Sequence, residues 1–247
     1  MSTTNKTAVR YPFLDWLRGF SILLMVIYHF CYDLDFFGYI DTAFGKGNWI
    51  PFRYVIVIGF LSLVGVSLVL VHGKGIRWSS LKKRTWQMAL ACVAVTVSSY
   101  FIAPTKITVF GILQFILLAS WLALPFLTYY KTALFTGILV FVLGHVIQTP
   151  FFEADYLHWI GMVEQKRPAL DYVPLFPWFG IVLIGITLGH WFINLDSGRA
   201  VAKLQIGKIH GLKFISYWME KAGQHSLIIY LVHQPLMFAV FYLIEMF

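Results

Sequence analysis

Charged residues are scarce in this sequence of 247 residues: they make up 12% of the chain, whereas 59% of its residues are hydrophobic. A soluble globule of this size could not cover its surface with so few charges. The composition therefore excludes a soluble protein and indicates an integral membrane protein. Cysteine is also rare, and because Cys31 and Cys92 both lie in apolar runs we interpret them as packing residues.

The sequence also lacks the short motifs of metal and nucleotide sites. No pair of histidines has the spacing of a zinc site such as HExxH, and no Walker or Rossmann glycine loop is present. We therefore predict no metal. The net charge of +8 does not predict nucleic-acid binding, because in a membrane protein the position of the charges matters more than their sum.

Seven apolar segments predict an all-α polytopic membrane protein, with a single transmembrane domain over residues 1–247. Several segments reach the roughly 20 residues that a helix needs to cross a hydrocarbon core of about 30 Å. The first contains Arg18 and no small-residue cleavage site, so we interpret it as an uncleaved span rather than a signal peptide. The predicted spans are 13–33, 51–72, 86–104, 108–128, 132–150, 174–193 and 225–245.

One amphipathic segment, 212–222 (LKFISYWMEKA), has two interpretations. It is either a helix lying along the inner interface or an extension of the last span.

Basic residues cluster in alternate connections, which predicts the orientation of the chain. With the N-terminus in the cytoplasm and the C-terminus outside, 14 of the 19 basic residues lie on the cytoplasmic side. The protein is then a multi-pass protein of the inner membrane. The 14 residues are Lys6, Arg10, Arg18, Lys74, Arg77, Lys82, Lys83, Arg84, Lys131, Arg199, Lys203, Lys208, Lys213 and Lys221.

The first span carries its ionisable residues on one face. These residues and two apolar ones follow each other at intervals of three or four residues, so they form one stripe along the helix. Such a stripe predicts a face turned to other helices or to a cavity. Asp15 and Arg18 can form an ion pair near the inner edge. His29 and Asp33 lie near the outer edge, where a hydrogen bond between them would orient the imidazole as a general base. The stripe is Asp15, Arg18, Ile22, Met25, His29 and Asp33.

Other polar residues lie at membrane depth. Tyr230 and His233 share one face of the last span, which indicates a polar cavity or an inter-helix hydrogen bond. Arg53 opens the second span, where it either neutralises nearby carboxylates or holds an anionic substrate. Small residues in GFLSLVGVSL (59–68) and in the sixth span predict close helix packing.

Four stretches of the sequence together resemble a known family. They are LDWLRGFSILLMVIYHFCYDLDFFG (14–38), GFLSLVGVSL (59–68), PLFPWFGIVLIG (174–185) and GQHSLIIYLVHQP (223–235). In this order they resemble the small prokaryotic proteins grouped with the heparan-α-glucosaminide N-acetyltransferase catalytic domain, within the wider group of transmembrane acyltransferases.

The resemblance implies transfer of an acetyl group from acetyl-CoA to an amine or hydroxyl of a sugar on the far side of the membrane. It places Arg18 as the motif arginine and His29 as the membrane-embedded catalytic candidate. One departure is that the lysosomal member has its essential histidine in the loop after the first span, whereas residues 34–50 here contain none. Either His29 takes this role or the chemistry has diverged.

The residues suit acyl transfer, which needs a base for the acceptor proton and a donor to the developing oxyanion. His29, oriented by Asp33, is the predicted base, and Arg53, Tyr230 or His233 is the predicted oxyanion donor. The basic cluster of Lys82, Lys83 and Arg84 is explained either by topology or by attraction of coenzyme A.

The expected partners are acyl-CoA, a sugar or polysaccharide acceptor and the lipid bilayer, and a homodimer is compatible with the sequence. Two other functions stay open at this point. They are a proton-coupled transporter, in which His29, Asp33 and His233 relay protons, and a non-catalytic membrane protein of the envelope.

Overall fold

The computed structural model describes residues 11–44, 46–102, 104–165, 171–194 and 212–246, and these residues form an all-helical fold. The basic residues Lys6, Arg10, Arg199, Lys203 and Lys208, on which part of the predicted orientation depends, lie outside the described ranges. The α-helices in the described ranges are α1 (Pro12–Phe36), α2 (Trp49–His72), α3 (Trp78–Ile102), α4 (Ile112–Leu122), α5 (Tyr130–Val146), α6 (Leu175–Asn194), α7 (Lys213–Gln224) and α8 (Ser226–Glu245).

Five of these helices are long and apolar enough to cross a membrane: α1, α2, α3, α6 and α8. The other two predicted spans are shorter, because α4 has 11 residues and α5 has 17. At 1.5 Å per residue they measure about 16 Å and 26 Å, less than a hydrocarbon core of about 30 Å. A 3₁₀ turn that contains Pro125 follows α4 and shortens that segment. The number of seven spans therefore stays a prediction.

Glycines bring α2, α6 and α5 into backbone contact. A Cβ atom added to Gly65 of α2 would lie 2.1 Å from the carbonyl oxygen of Val182 in α6, and one added to Gly185 would lie 2.3 Å from that of Ser62. Gly180 packs in the same way on the carbonyl of Gly137 in α5. Since only glycine leaves room for these approaches, the prediction of close helix packing is confirmed.

A second close contact joins α1 to α7. A Cβ atom on Gly19 would lie 1.9 Å from the carbonyl oxygen of Met219, and one on Gly223 would lie 1.8 Å from that of Asp15. The α7 helix ends at Gln224, and α8 begins as a separate helix at Ser226. The interpretation of 212–222 as an extension of the last span is therefore wrong.

The α8 helix runs beside the second half of α1 in the same direction. The rings of His29 and His233 have centroids 5.0 Å apart, and further along both helices the rings of Phe37 and Phe241 stack at 5.0 Å. This pairing brings the polar face of α8 to the polar stripe of α1, so it determines where the candidate site forms.

Candidate functional site

A large cavity of about 860 Å³ lies between α1, α2, α3, α4 and α8. Arg18 and His29 both line it, and they are separated by about 16 Å along α1 at 1.5 Å per residue. We call the two ends of the cavity the Arg18 end and the His29 end. The volume falls within the range of small-molecule and cofactor sites, about 300–1,000 Å³.

The stripe on α1 faces the interior, as its spacing predicts. Ile22 and Met25 are buried in the middle of the stripe, and Asp15 and Asp33 are buried towards its two ends. On the opposite face Leu23 and Ile27 are exposed, as expected for side chains that face lipid.

At the Arg18 end the guanidinium is held on two sides. One nitrogen of Arg18 donates to Asp15 Oδ1 at 2.7 Å and the other donates to Ser67 Oγ at 2.7 Å, so the predicted ion pair is confirmed. Arg84 and Gln87 from the first half of α3 also line the cavity, and Arg84 is close enough to Arg18 for their charges to interact. Of the cluster 82–84, Arg84 is the member that lines the cavity.

At the His29 end two histidines form a hydrogen-bonded pair. The Nδ1 atom of His29 lies 3.0 Å from Nε2 of His233, and Nδ1 of His233 lies 2.7 Å from the carbonyl oxygen of Tyr230. Because each helix supplies one ring, this contact depends on the packing of α8 against α1. The sequence predicts both histidines as site residues but does not predict their contact.

Asp33 does not orient His29, which corrects the sequence-based prediction. Its Oδ1 atom accepts from Nε2 of Gln234 at 2.7 Å, and no hydrogen bond joins it to His29 among the described residues. The ring of His29 is turned to α8 instead. Asp33 Oδ2 and Gln234 Oε1 are buried without a hydrogen-bond partner in the described part of the chain. A catalytic role for Asp33 stays a prediction without the expected contact.

Arg53 lines the cavity at the His29 end and donates to the carbonyl oxygen of Tyr172 at 2.6 Å. No carboxylate of the described residues forms an ion pair with it, so it does not neutralise Asp33 or Asp35. Tyr172 itself donates to the carbonyl oxygen of His158 at 2.7 Å. Burial raises the pKa of the Tyr172 phenol to about 12, although the charge of Arg53 acts in the opposite direction. The phenol therefore stays a donor at neutral pH.

Asp171 is the functional candidate that sequence reasoning missed. Its Oδ2 atom accepts from the Tyr230 hydroxyl and from the backbone N–H of Ile112, each at 2.8 Å. This carboxylate therefore holds the Tyr230 hydroxyl in place and accepts a hydrogen bond from Ile112, the first residue of α4. Asp171 also lines the cavity. In the sequence it is one acid among several in a connection, so the only signal is its place just before the sixth span.

A smaller space of about 50 Å³ borders the histidine pair. Its polar lining includes Tyr32, Asp171 and Tyr230. A space of this size and polarity is large enough for a bound water molecule. No group of three His, Cys, Asp or Glu side chains able to hold a metal occurs in the described residues.

The residues of the site all lie within a match to a known family. A family profile described as heparan-alpha-glucosaminide N-acetyltransferase, catalytic, matches residues 10–235. The chain belongs to this family. No curated protein and no solved structure matches the chain. Membership in the heparan-alpha-glucosaminide N-acetyltransferase catalytic family implies a membrane acetyltransferase, and the apolar helices agree with a multi-pass membrane protein.

Proposed function

We propose that the protein transfers an acetyl group from acetyl-CoA to an amino sugar or to a glycan hydroxyl, across the inner membrane. The observation that carries this proposal is the cavity, which joins an arginine-lined end to a histidine with a free ring nitrogen. With the predicted orientation, the Arg18 end faces the cytoplasm and the His29 end faces the opposite side. Acetyl-CoA and the sugar acceptor would then approach His29 from opposite sides of the membrane.

Coenzyme A would bind at the Arg18 end. Arg18 is held in place by Asp15 and Ser67, and Arg84 contributes a second guanidinium to the same part of the cavity. Guanidinium groups form strong, bidentate hydrogen bonds with phosphates. The thioester would lie further along the cavity, near His29.

The chemistry requires one base and one donor. The lone pair of a neutral acceptor amine, or of a hydroxyl oxygen, attacks the thioester carbonyl carbon while Nε2 of His29 takes a proton from the attacking atom. The carbonyl π electrons move to oxygen and form a tetrahedral oxyanion. Collapse of this intermediate breaks the carbon–sulfur bond, and His29 returns the proton to the thiolate. The products are the amide or ester and free coenzyme A thiol.

Arg53 is the best placed of the three predicted oxyanion donors. The hydroxyl of Tyr230 already donates to Asp171. Both nitrogens of His233 are engaged, one by His29 and one by a backbone carbonyl. Arg53 uses one nitrogen on Tyr172 and keeps further N–H groups for the cavity, and its charge stabilises an oxyanion.

A thiol-release assay tests this function. Purified protein in detergent, given acetyl-CoA and glucosamine, should release free thiol and form acetylated sugar. In His29→Ala the rate should fall by about 10²-fold or more, because general-base catalysis contributes roughly 10²–10⁴-fold.

The matched control is His145→Ala. Like His29, His145 lies in an apolar helix, but its ring contacts the backbone carbonyl of Phe141 and it does not line the cavity. Its removal should leave the rate unchanged. Equal rates for His29→Ala and wild type would show that His29 is not the base.

Proton-coupled transport is the second candidate, and the histidine pair is the observation that favours it. Two bonded imidazoles beside a space large enough for water resemble the start of a proton relay. Proteoliposomes with an imposed proton gradient separate the two functions. Uptake of sugar that follows the gradient, without consumption of acetyl-CoA, would support transport and contradict acyl transfer.

A further inference from the structure

We infer that His233 is a positioning residue that holds His29 in one tautomer, with the proton on Nδ1 and the lone pair of Nε2 free to act. This inference rests on the proposed function for its catalytic meaning, but the tautomer itself follows from the hydrogen bonds. It replaces the predicted role of His233 as an oxyanion donor.

The directions of both hydrogen bonds follow from the backbone carbonyl of Tyr230, with which the chain of bonds begins. A carbonyl oxygen only accepts, so the contact of 2.7 Å with Tyr230 requires that Nδ1 of His233 carries its proton. In a neutral ring, Nε2 of His233 is then a lone-pair acceptor. The contact of 3.0 Å with His29 therefore requires a proton on Nδ1 of His29.

The remaining nitrogen of His29 is the one that is left for chemistry. Nε2 of His29 has no hydrogen-bond partner among the described residues. It is not among their buried atoms that lack a partner, so it is accessible to a ligand. His29 lines the large cavity. A neutral imidazole whose Nδ1–H is held by an acceptor presents its lone pair at Nε2, as in the histidine of a catalytic triad.

The same contact also suits the charged state that forms during transfer. When Nε2 of His29 takes the acceptor proton, Nδ1–H still donates to His233, and no hydrogen bond has to break. The carbonyl of Tyr230 and the ring of His233 together orient His29 as a carboxylate does in a triad, although they supply no negative charge. Asp33, which is bonded to Gln234, is not needed for this task.

Nitrogen NMR tests the tautomer without any assay of activity. Protein labelled with ¹⁵N-histidine, reconstituted in nanodiscs, should show His29 with a pyrrole-type Nδ1 and a pyridine-type Nε2, assigned by the loss of its signals in His29→Asn. In His233→Leu this preference should disappear, because the acceptor is gone. A wild-type His29 with its proton on Nε2, or an unchanged tautomer in His233→Leu, would overturn the inference.

Kinetics test the catalytic meaning. In His233→Leu the kcat for thiol release should fall roughly 10²-fold with the KM for acetyl-CoA unchanged, since orientation of the base acts on the chemical step. His233→Gln should recover most of the loss, because its amide oxygen can accept from Nδ1–H of His29. Loss of kcat without recovery in a folded His233→Gln protein would overturn a purely positioning role.

His190→Leu is the matched control. His190 is a membrane histidine whose Nε2 also contacts a backbone carbonyl, that of Leu127 at 2.6 Å, and it lies away from the cavity. This variant should change neither the tautomer of His29 nor kcat. The expected NMR result in a protein that acetylates no acceptor would support the positioning of His29 and contradict the proposed function.

Discussion

Asp33 is fully buried in the wall between α1 and α8, and its hydrogen-bond partner is an amide. One oxygen of each side chain in this pair lacks a partner in the described part of the chain. A buried acceptor without a donor costs about 1–3 kcal/mol. The pair therefore joins two helices while carrying a stability cost that a small chemical change can remove.

Asp33→Asn should keep activity within about tenfold of wild type. Removal of a carboxylate that orients a catalytic histidine costs about 10⁴-fold in a serine protease, so the two roles are easily separated. The melting temperature should stay equal or rise, because the new amide can donate to the unpartnered oxygen of Gln234. Asp33→Leu is the contrasting variant and should melt lower, since Gln234 then loses its acceptor. A loss of kcat near 10⁴-fold in Asp33→Asn would restore Asp33 as the orienting group.

The sequence predicts contacts between side chains well when the two residues are close together in the chain. Asp15 and Arg18 are three residues apart on one helix, and their pairing follows from helical spacing alone. The contacts of His29 with His233 and of Tyr230 with Asp171 join residues 204 and 59 positions apart. Periodicity within one segment carries no information about which distant side chain lies opposite, so these contacts required the fold.

At the scale of helices, apolar runs predict where a helix lies in the sequence better than they predict how long it is. Each of the seven predicted segments contains a helix, but α3 begins at Trp78, eight residues before its predicted start at 86. The charges of Lys82, Lys83 and Arg84 hide two helical turns from a search for apolar runs. Hydrophobicity cannot separate a short apolar helix from a complete span when a turn with proline interrupts the run, as after α4.

The crossing of α1 and α7 depends on two glycines. Gly223→Ala should destabilise the protein by about 1–3 kcal/mol or more, because its Cβ would meet the backbone carbonyl of Asp15, which no side-chain rotation can relieve. The melting temperature in detergent and the folded fraction on size-exclusion chromatography measure this effect.

Gly59→Ala is the matched control for that crossing. Gly59 also lies in a membrane helix, but an added Cβ would meet only the side chain of Ser21, which can rotate. Its melting temperature should change little. Equal destabilisation by both variants would show that the loss comes from helix glycines in general rather than from this crossing.

At the scale of the whole molecule, the cavity links the two ends of the bundle, and its charges are unevenly distributed. Arg18, Arg84 and Arg53 line it, and Asp171 is the one carboxylate among the lining residues in the described chain. This positive balance favours an anionic ligand such as coenzyme A.

Arg84→Ala should raise the KM for acetyl-CoA about tenfold and leave kcat nearly unchanged, since it removes one charged hydrogen-bond donor that binds substrate and transition state equally. Lys83→Ala is the matched control, because Lys83 is the adjacent basic residue and does not line the cavity. A similar rise in both variants would indicate general electrostatic attraction by the cluster rather than binding by Arg84.

The helices of the protein pack against each other in two different ways. The backbones of α2, α5 and α6 touch at glycines, as do those of α1 and α7, whereas α1 and α8 meet through polar and aromatic side chains. The side chains that border the cavity have protein neighbours on one side only, so the protein packs them less tightly than the side chains of a closed core. The proposed donor, acetyl-CoA, would occupy this cavity and contact these side chains, so it would bind the folded protein and not the unfolded chain. At a concentration of one hundred times its Kd, such a ligand adds about 2.7 kcal/mol to the free energy of unfolding. Acetyl-CoA would in this sense act as a removable part of the packed interior.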